Sequence, residues 1–476
     1  MNETAVGTTV QIKSRWRPYP DSKDSGIEWL GEIPIGWDVT PIRRLAQPGY
    51  RSFIDGDWIE SPYITNEGVR LIQTGNIGVG YYKEQGFRYV SEETFASLKC
   101  TEVMPGDVLI CRLADPVGRA CQAPTLGVRM ITSVDVCILK TVPNVDARFV
   151  VYYLSSETYL SWLQANCRGS TRDRVSRSML GAIQIIAPPL SEQRAIANFL
   201  DHETAQIDAL IAKKERLIEL LTEKRTALIS HTVTKGLDPT VPMKDSGVEW
   251  IGEIPAHWEV KRNKTLFSLF SGFAFKGEYF SRDDQDAPIL VTPGNFDPNG
   301  GMYFTESNTV HYTGEYPNNF DLKIGDHLIV MTDLSYKKLI LGKCILVERG
   351  ELLLNQRVAK LVFNPSSEKV LDRKFIAHTL NSTPVREQVL QTARGATVFH
   401  SSPSKIGDCF LCLPPLSEQQ VIVNHIDLET IKINALINKV CEHIDKLKEY
   451  RTAIISAAVT GKIDVREEVT NGHLRT

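Results

Sequence analysis

No stretch of the 476-residue sequence approaches the roughly 20 consecutive apolar residues that a membrane span needs. The opening residues, MNETAVGTTV, lack the basic and apolar regions of a signal peptide, so a cytoplasmic location without membrane contact is expected. Excess charge of one sign is missing as well. With 54 Lys and Arg against 57 Asp and Glu the formal charge is −3, which excludes a surface that binds polyanions all over and confines any nucleic-acid contact to local patches. Nine cysteines, an odd number scattered through the chain, give no disulfide framework. Cys409 and Cys412 have the spacing of half a zinc site but no second pair, and they lie in an apolar strand-like run, so buried thiols and no metal are expected. Reaction centres are also lacking. VTGKID misses the upstream glycine and the following Ser or Thr of a phosphate loop, FNPSS at 363–367 is not the Asn-Pro-Pro-aromatic motif of amino-methyltransferases, and PDSKDSGIE lacks the acid-x-Lys of a nuclease. With no HExxH and no nucleophile elbow either, the chain reads as a recognition or assembly part without catalytic residues.

What the sequence does contain is a duplication. KDSGIEWLGEIPIGW (23–37) returns as KDSGVEWIGEIPAHW (244–258) with eleven of fifteen positions identical. PPLSEQRAIANFLDHETAQIDALI (188–211) returns as PPLSEQQVIVNHIDLETIKINALI (414–437) with fifteen of twenty-four identical. Between them the copies 38–187 and 259–413 keep only scattered signposts, such as Gly75-Asn76 with Gly294-Asn295 and Gly106-Asp107 with Gly325-Asp326. A fixed frame around two changed interiors is the organisation this implies. The parts are an arm (1–37), a divergent domain (38–187), a helix (188–236), a linker with the second arm (237–258), a second divergent domain (259–413), a second helix (414–463) and a tail (464–476).

Short apolar runs punctuated by Gly, Asn, Asp and Pro, followed by ARFVVYYLSSETYLSWLQ and RKFIAHTLNSTPVREQVLQ, make each divergent domain α+β with a mixed or antiparallel sheet. After each Pro-Pro-Leu a serine is placed to cap a long helix, with Ser417 and Gln420 forming a capping box and Ser191 capping alone. Apolar residues follow at heptad spacing: Leu200, Ile207, Leu210, Leu217, Leu221 and Leu228, then Ile426, Ile433, Leu436, Val440, Leu447 and Ile454. Lys214, Lys224 and His443 interrupt that seam, which favours a pair of helices over a long fibrous coil, and Gly236 and Gly461 end the two rods. The tryptophans of the arms, Trp29, Trp37, Trp250 and Trp258, are expected to pack where the arm docks on the frame, since near-identical copies suit packing better than variable base stacking.

One segment stands out as an anion-binding candidate. NCRGSTRDRVSRSML gathers Arg168, Arg172, Arg174 and Arg177 around Asp173, and guanidinium forks match phosphate oxygens and guanine edges. A solvated, ion-paired loop is the competing reading. The second copy, ARGATVFHSSPSK, keeps Arg394, His400 and Lys405, so Arg394 and Lys405 are the matching candidates. Arg112 and Arg119 after GDVLIC, and Lys337 and Lys338 in the equivalent region, are further basic candidates. Gln73, Asn76 and Asn295 carry base-reading amides but sit beside glycines, where turn formation explains them equally well.

The order of divergent domain, PPLSEQ helix, divergent domain, and PPLSEQ helix ending in AAVTGKID resembles the DNA-specificity subunit of type I restriction-modification systems over nearly the whole chain. The resemblance implies two α/β target recognition domains, each reading one half of a split, asymmetric sequence in double-stranded DNA, joined by two long antiparallel helices as a coiled-coil spacer. It also implies two methyltransferase subunits that use S-adenosylmethionine to methylate adenine N6, and two motor-nuclease subunits that use ATP and Mg, with no cofactor bound by this chain. The second arm follows the first rod directly while the first arm opens the chain, so the duplication reads as a circular repeat with a pseudo-twofold axis. A coiled-coil scaffold linking other proteins without reading DNA is the alternative that heptads alone would permit.

Overall fold

The computed structural model describes residues 16–49, 51–167, 173–297, 300–333, 340–395 and 398–466. They fall into two compact units, Met1–Lys214 with Glu442–Thr476 and Glu215–Cys441. No described helix is long and apolar enough to cross a membrane.

Each repeated arm is a tight hairpin, and its constant residues build the turn. In the first unit Ser22–Asp24 pairs antiparallel with Glu32–Pro34. Asp24 accepts a hydrogen bond from the Gly26 N–H at 3.0 Å, Ser25 Oγ accepts from the Ile27 N–H at 3.1 Å, and Gly26 sits at φ +72°, where a side chain would be strained. The second unit repeats this with Met243–Asp245 on Glu253–Pro255 and Gly247 at φ +70°. Trp37 and Trp258 are fully buried and Trp29 stacks on Trp162 at 4.7 Å, but Trp250 is 42% exposed, because the residue occupying Trp162's place in the second repeat is Gln388.

The two ends of each divergent domain meet as a strand pair. Asp38–Pro41 runs antiparallel to Gln184–Ala187, and Glu259–Arg262 to Phe410–Leu413. Within the first domain an antiparallel sheet has the order Phe53–Asp55, Val136–Leu139, Val108–Cys111, Ala120–Gln122. A second, mixed sheet has the order Met130–Thr132, Val69–Ile72, Tyr89–Val90, Ile64–Thr65, with the first two strands parallel. VLIC and VCIL are buried throughout because both faces of their sheet are covered. The second domain repeats both orders with Phe267–Ser271, Val358–Phe363, His327–Val330, Cys344–Leu346 and with Leu352–Leu354, Ile289–Val291, His311–Tyr312, Phe280–Ser281, adding Asp321–Leu322 beside Leu352–Leu354. The fold is α+β in both units. Cys409 and Cys412 are buried free thiols, and burial pushes their pKa values up to about 11 and about 12.

The rods are the helices Leu190–Lys235 and Leu416–Val459. They begin two residues earlier than the serine caps predict: Gln193 N–H and Gln419 N–H already bond the carbonyls of Pro189 and Pro415, so Ser191 and Ser417 lie inside the first turn. Gly236 and Gly461, at φ +74° and +71°, follow the helix ends. In the first unit the rod segments pair antiparallel, with Arg451 on Asp208 at 2.9 Å and Lys214 meeting His443 at 3.5 Å. In the second, Arg225 donates to Asn434 at 2.8 Å. Leu200, Ile207, Leu221, Ile426, Ile433, Val440 and Ile454 are buried, and Leu228 and Leu447 half-buried. Leu210, Leu217 and Leu436 are exposed; in all three places the inward residue is the isoleucine that follows, Ile211, Ile218 and Ile437.

The PPLSEQ motif has a mechanical role. Glu192 accepts from the Trp37 indole at 2.9 Å and from Tyr19 at 2.9 Å, while Gln193 reaches the Asp146 N–H, the cap of the helix Ala147–Leu154. Glu418 accepts from Trp258 at 3.1 Å, and Gln419 from the Asp372 N–H at 2.8 Å. Each motif thereby fixes its arm and its divergent domain to the same rod end. The joint is closed differently in the two units. From Gly236 the chain runs on through 237–242 into the second arm, whereas in the first unit Gly461 lies against Pro34 and Trp37, Lys462 donates to the Glu32 carbonyl at 2.8 Å and the Asp464 N–H to the Arg17 carbonyl at 2.7 Å.

A second brace joins each divergent domain to its rod. Arg148 and Tyr152 donate to Asp201 at 2.6 and 2.8 Å; in the matching places Lys374 and His378 hold Asp427 at 2.9 and 3.1 Å. Burial lowers the His378 pKa despite the pull of Asp427. Burial pushes Asp427 up, but the hydrogen bonds from Lys374 and His378 outweigh it and hold that carboxyl below its usual range. Both folded pKa values lie below the unfolded ones, so this brace is at full strength above the ordinary histidine pKa and weakens as protons are taken up below it. Amide exchange in Arg373–Asn381 should therefore accelerate from about pH 7 to about pH 5 more than in Ala147–Leu154, and His378→Tyr should flatten the difference. Equal acceleration in the two helices would refute the assignment.

Candidate nucleic-acid interface

The described basic candidates of the first domain divide sharply by what holds them. Arg119 is buried, with Nε bonded to the Ile77 carbonyl at 2.7 Å and its two terminal nitrogens to those of Leu113, Pro116 and Thr74, each at 2.9 Å. It braces the turn around Asn76, and four of its five N–H groups are occupied. Asn76 is also structural: its oxygen accepts from the Gln73 N–H, its amide donates to the carbonyls of Lys83 and Gln85, and the Gln73 side chain caps the same turn. Asn295, fully buried, closes the equivalent turn on the Thr292 N–H and the Asn308 carbonyl. The base-reading expectation for Arg119, Asn76 and Asn295 is thus replaced by turn bracing.

Arg112, Arg174 and Arg177 do converge. Arg112 is buried, pairs through Nε with Asp55 at 3.1 Å and donates to the Val134 carbonyl at 2.7 Å. It forms the floor of the group rather than a contact surface. Above it Arg174 is bonded to Asp135 at 2.8 Å and Arg177 lies 3.9 Å from Asp55, with side chains 53% and 44% exposed. Three guanidiniums against two carboxylates leave this place cationic, with both outer forks open to solvent. Trp58, 73% exposed, leaves the same sheet edge, since the Asp57 N–H bonds the Thr132 carbonyl just before the turn Ser133–Asp135. Arg168, Arg172, Lys337 and Lys338 lie outside the described residues.

Backbone pairing identifies the same place in the second domain. The Arg112 N–H bonds the Asp135 carbonyl and the Met331 N–H that of Arg357; the Val136 N–H bonds Ser133 and the Val358 N–H Asn355. Leu113 bridges Arg174 where Thr332 bridges His400. Gly56 and Gly272 stand at the matching crossing, where a β-carbon would run into the carbonyls of Thr132 and Asn355. In the second domain this place is a hollow of about 430 Å³ lined by Ser271, Thr332, Gln356, Arg394, His400 and Lys405. Arg394 is exposed, and Lys405 is half-buried with Nζ donating to the Thr392 carbonyl at 3.3 Å. The sequence pointed to the arginines but missed Asp55, Asp135, Gln356 and Arg357; the available signal was the aligned turn in ITSVDVC and LLNQRVA, polar residues between two buried strands.

Two α+β domains of one strand order, each carried on a repeated frame, differ in charge at one matched place. Comparison with known proteins shows what the chain is similar to. Residues 59–220 match the domain described as "Type I restriction modification DNA specificity domain". The chain is 23% identical over 453 residues to the putative type I restriction enzyme MjaX specificity subunit of Methanocaldococcus jannaschii, covering 92% of this chain and 96% of that one. It is 24% identical over 462 residues to the EcoKI specificity subunit of Escherichia coli, covering 93% of each. A chain from a solved type I R-M system matches with a TM-score of 0.61 at 15% identity, over 90% of this chain and 98% of that one. Residues 59–220 thus match a DNA specificity domain, and over nine-tenths of its length the chain is similar to type I restriction enzyme specificity subunits. The scaffold alternative finds no support in these matches.

Proposed function

We propose that this subunit reads a bipartite, asymmetric DNA sequence, one half with each divergent domain, and performs no reaction itself. In this reading it directs two methyltransferase subunits, which methylate adenine N6 with S-adenosylmethionine, and two motor-nuclease subunits, which use ATP and Mg. The observation that carries it is the matched place: identical backbone pairing presents Asp55, Arg112, Asp135 and Arg174 in one domain and Ser271, Met331, Arg357 and His400 in the other. One scaffold with two different donor sets suits two different half-sites. The proposed domain bounds, 38–187 and 259–413, make the test direct. Exchanging residues 38–187 for those of a relative should change one half of the sequence methylated by the assembled complex and leave the other half unaltered. Methylation mapping checks this; a change in both halves, or in neither, refutes it.

A further inference from the structure

Both domains join their two sheets through a three-residue turn, Ser133–Asp135 in the first and Asn355–Arg357 in the second, fixed by equivalent backbone bonds. Each turn lies beside the strand that leaves the antiparallel sheet and beside the residue bridged to it, Arg174 or His400. Resting on the DNA reading above, we infer that this turn is the discriminating element of both domains: in the first, Asp135 aims Arg174 at a guanine edge, and in the second, Gln356 reads an adenine.

The chemistry differs in a way that favours this division. Arg174 is half exposed and has one Nη bonded to Asp135 at 2.8 Å, which restrains the guanidinium while its other N–H groups stay available. A guanidinium held on one side by a carboxylate presents a planar pair of donors, the geometry that matches guanine O6 and N7. Asp135 also lies 3.9 Å from the buried Arg112, which anchors the carboxylate in turn. Asp135 is thus a positioning residue. Among the described residues of the second domain no carboxylate lines that place. Arg357 occupies the place of Asp135, and Gln356, exposed on the rim of the hollow, replaces Val134. An amide side chain offers one donor and one acceptor, which suits adenine N6 and N7. The hollow beneath it leaves room for a base edge to approach, where the first domain is filled by Arg112 and its partners.

The test uses the full chain assembled with its methyltransferase partners. Arg174→Lys keeps the charge and removes the fork; Asp135→Asn keeps the shape and removes the restraint. Both should relax discrimination at one and the same position of one half-site, a guanine in the wild-type sequence, on the order of 10- to 100-fold for Arg174→Lys and less for Asp135→Asn. Gln356→Ala should relax one adenine position in the other half-site only. Thermal unfolding within a degree or so of wild type would exclude a folding effect; if Asp135→Asn lowers it, the unchanged fold of Arg174→Lys still decides the matter. Uniformly weaker binding with a smaller salt slope and an unaltered sequence preference would show a phosphate contact and overturn the inference. If these substitutions leave the sequence intact while exchange of 38–187 still moves it, the inference fails and the two-domain reading stands. If the exchange moves nothing, the reading itself fails.

Discussion

Trp37→Ala should unfold the first unit well before the second. The side chain is fully buried, its indole donates to Glu192 at 2.9 Å, Tyr19 packs edge-on at 5.4 Å, and Gly461 closes over it. Deleting a buried tryptophan leaves a cavity and removes one of the two donors to Glu192, a loss of about 3–5 kcal/mol. The hydrophobic core around Trp37 shares no residue with the one around Trp258, so the loss stays local. Calorimetry should split one transition into two, with amide exchange assigning the earlier one to the first unit; Trp258→Ala should reverse the order. A single, uniformly lowered transition would contradict the separation of the cores.

The other large effect is expected at Arg119. Replacing it by Met fills much of its volume but leaves the carbonyls of Thr74, Ile77, Leu113 and Pro116 without their donor. Unsatisfied buried carbonyls cost about 1–3 kcal/mol each when nothing relaxes. With partial relaxation the total should be about 3–5 kcal/mol. Denaturant unfolding should show this loss in the first domain only, and Arg119→Lys should recover part of it. Methylation should lose specificity in one half-site, because the braced turn and the strand leading to Arg174 share that support. Unchanged stability of Arg119→Met would mean that water replaces the guanidinium and that the brace is dispensable.

Legibility in the sequence followed the range of the interactions. The hairpin turns, the rod ends at Gly236 and Gly461 and the duplicated α+β plan rest on local backbone chemistry and could be read directly. The seam slipped by one residue at Leu210, Leu217 and Leu436, because in each case an isoleucine follows and periodicity alone cannot choose between two adjacent apolar residues. The serine caps missed by two residues because the carbonyl of the proline two places before each serine already starts the helix. Buried Arg112 and Arg119 looked like surface cations, since the carbonyls and the carboxylate that hold them come from elsewhere in the domain. Asp55 and Asp135 were invisible for the same reason: an aspartate that orients an arginine more than 30 residues away has no spacing to announce it.

The two frame joints should respond differently to force. The second is continuous polypeptide through 237–242, so pulling on its arm loads covalent bonds. The first is held by apolar packing and a few hydrogen bonds between stretches some 430 residues apart in sequence. Under load it behaves as a slip coupling: it lets go by unzipping and reseats when tension is removed. Strain across this joint would thus be relieved at Trp37, with every peptide bond intact.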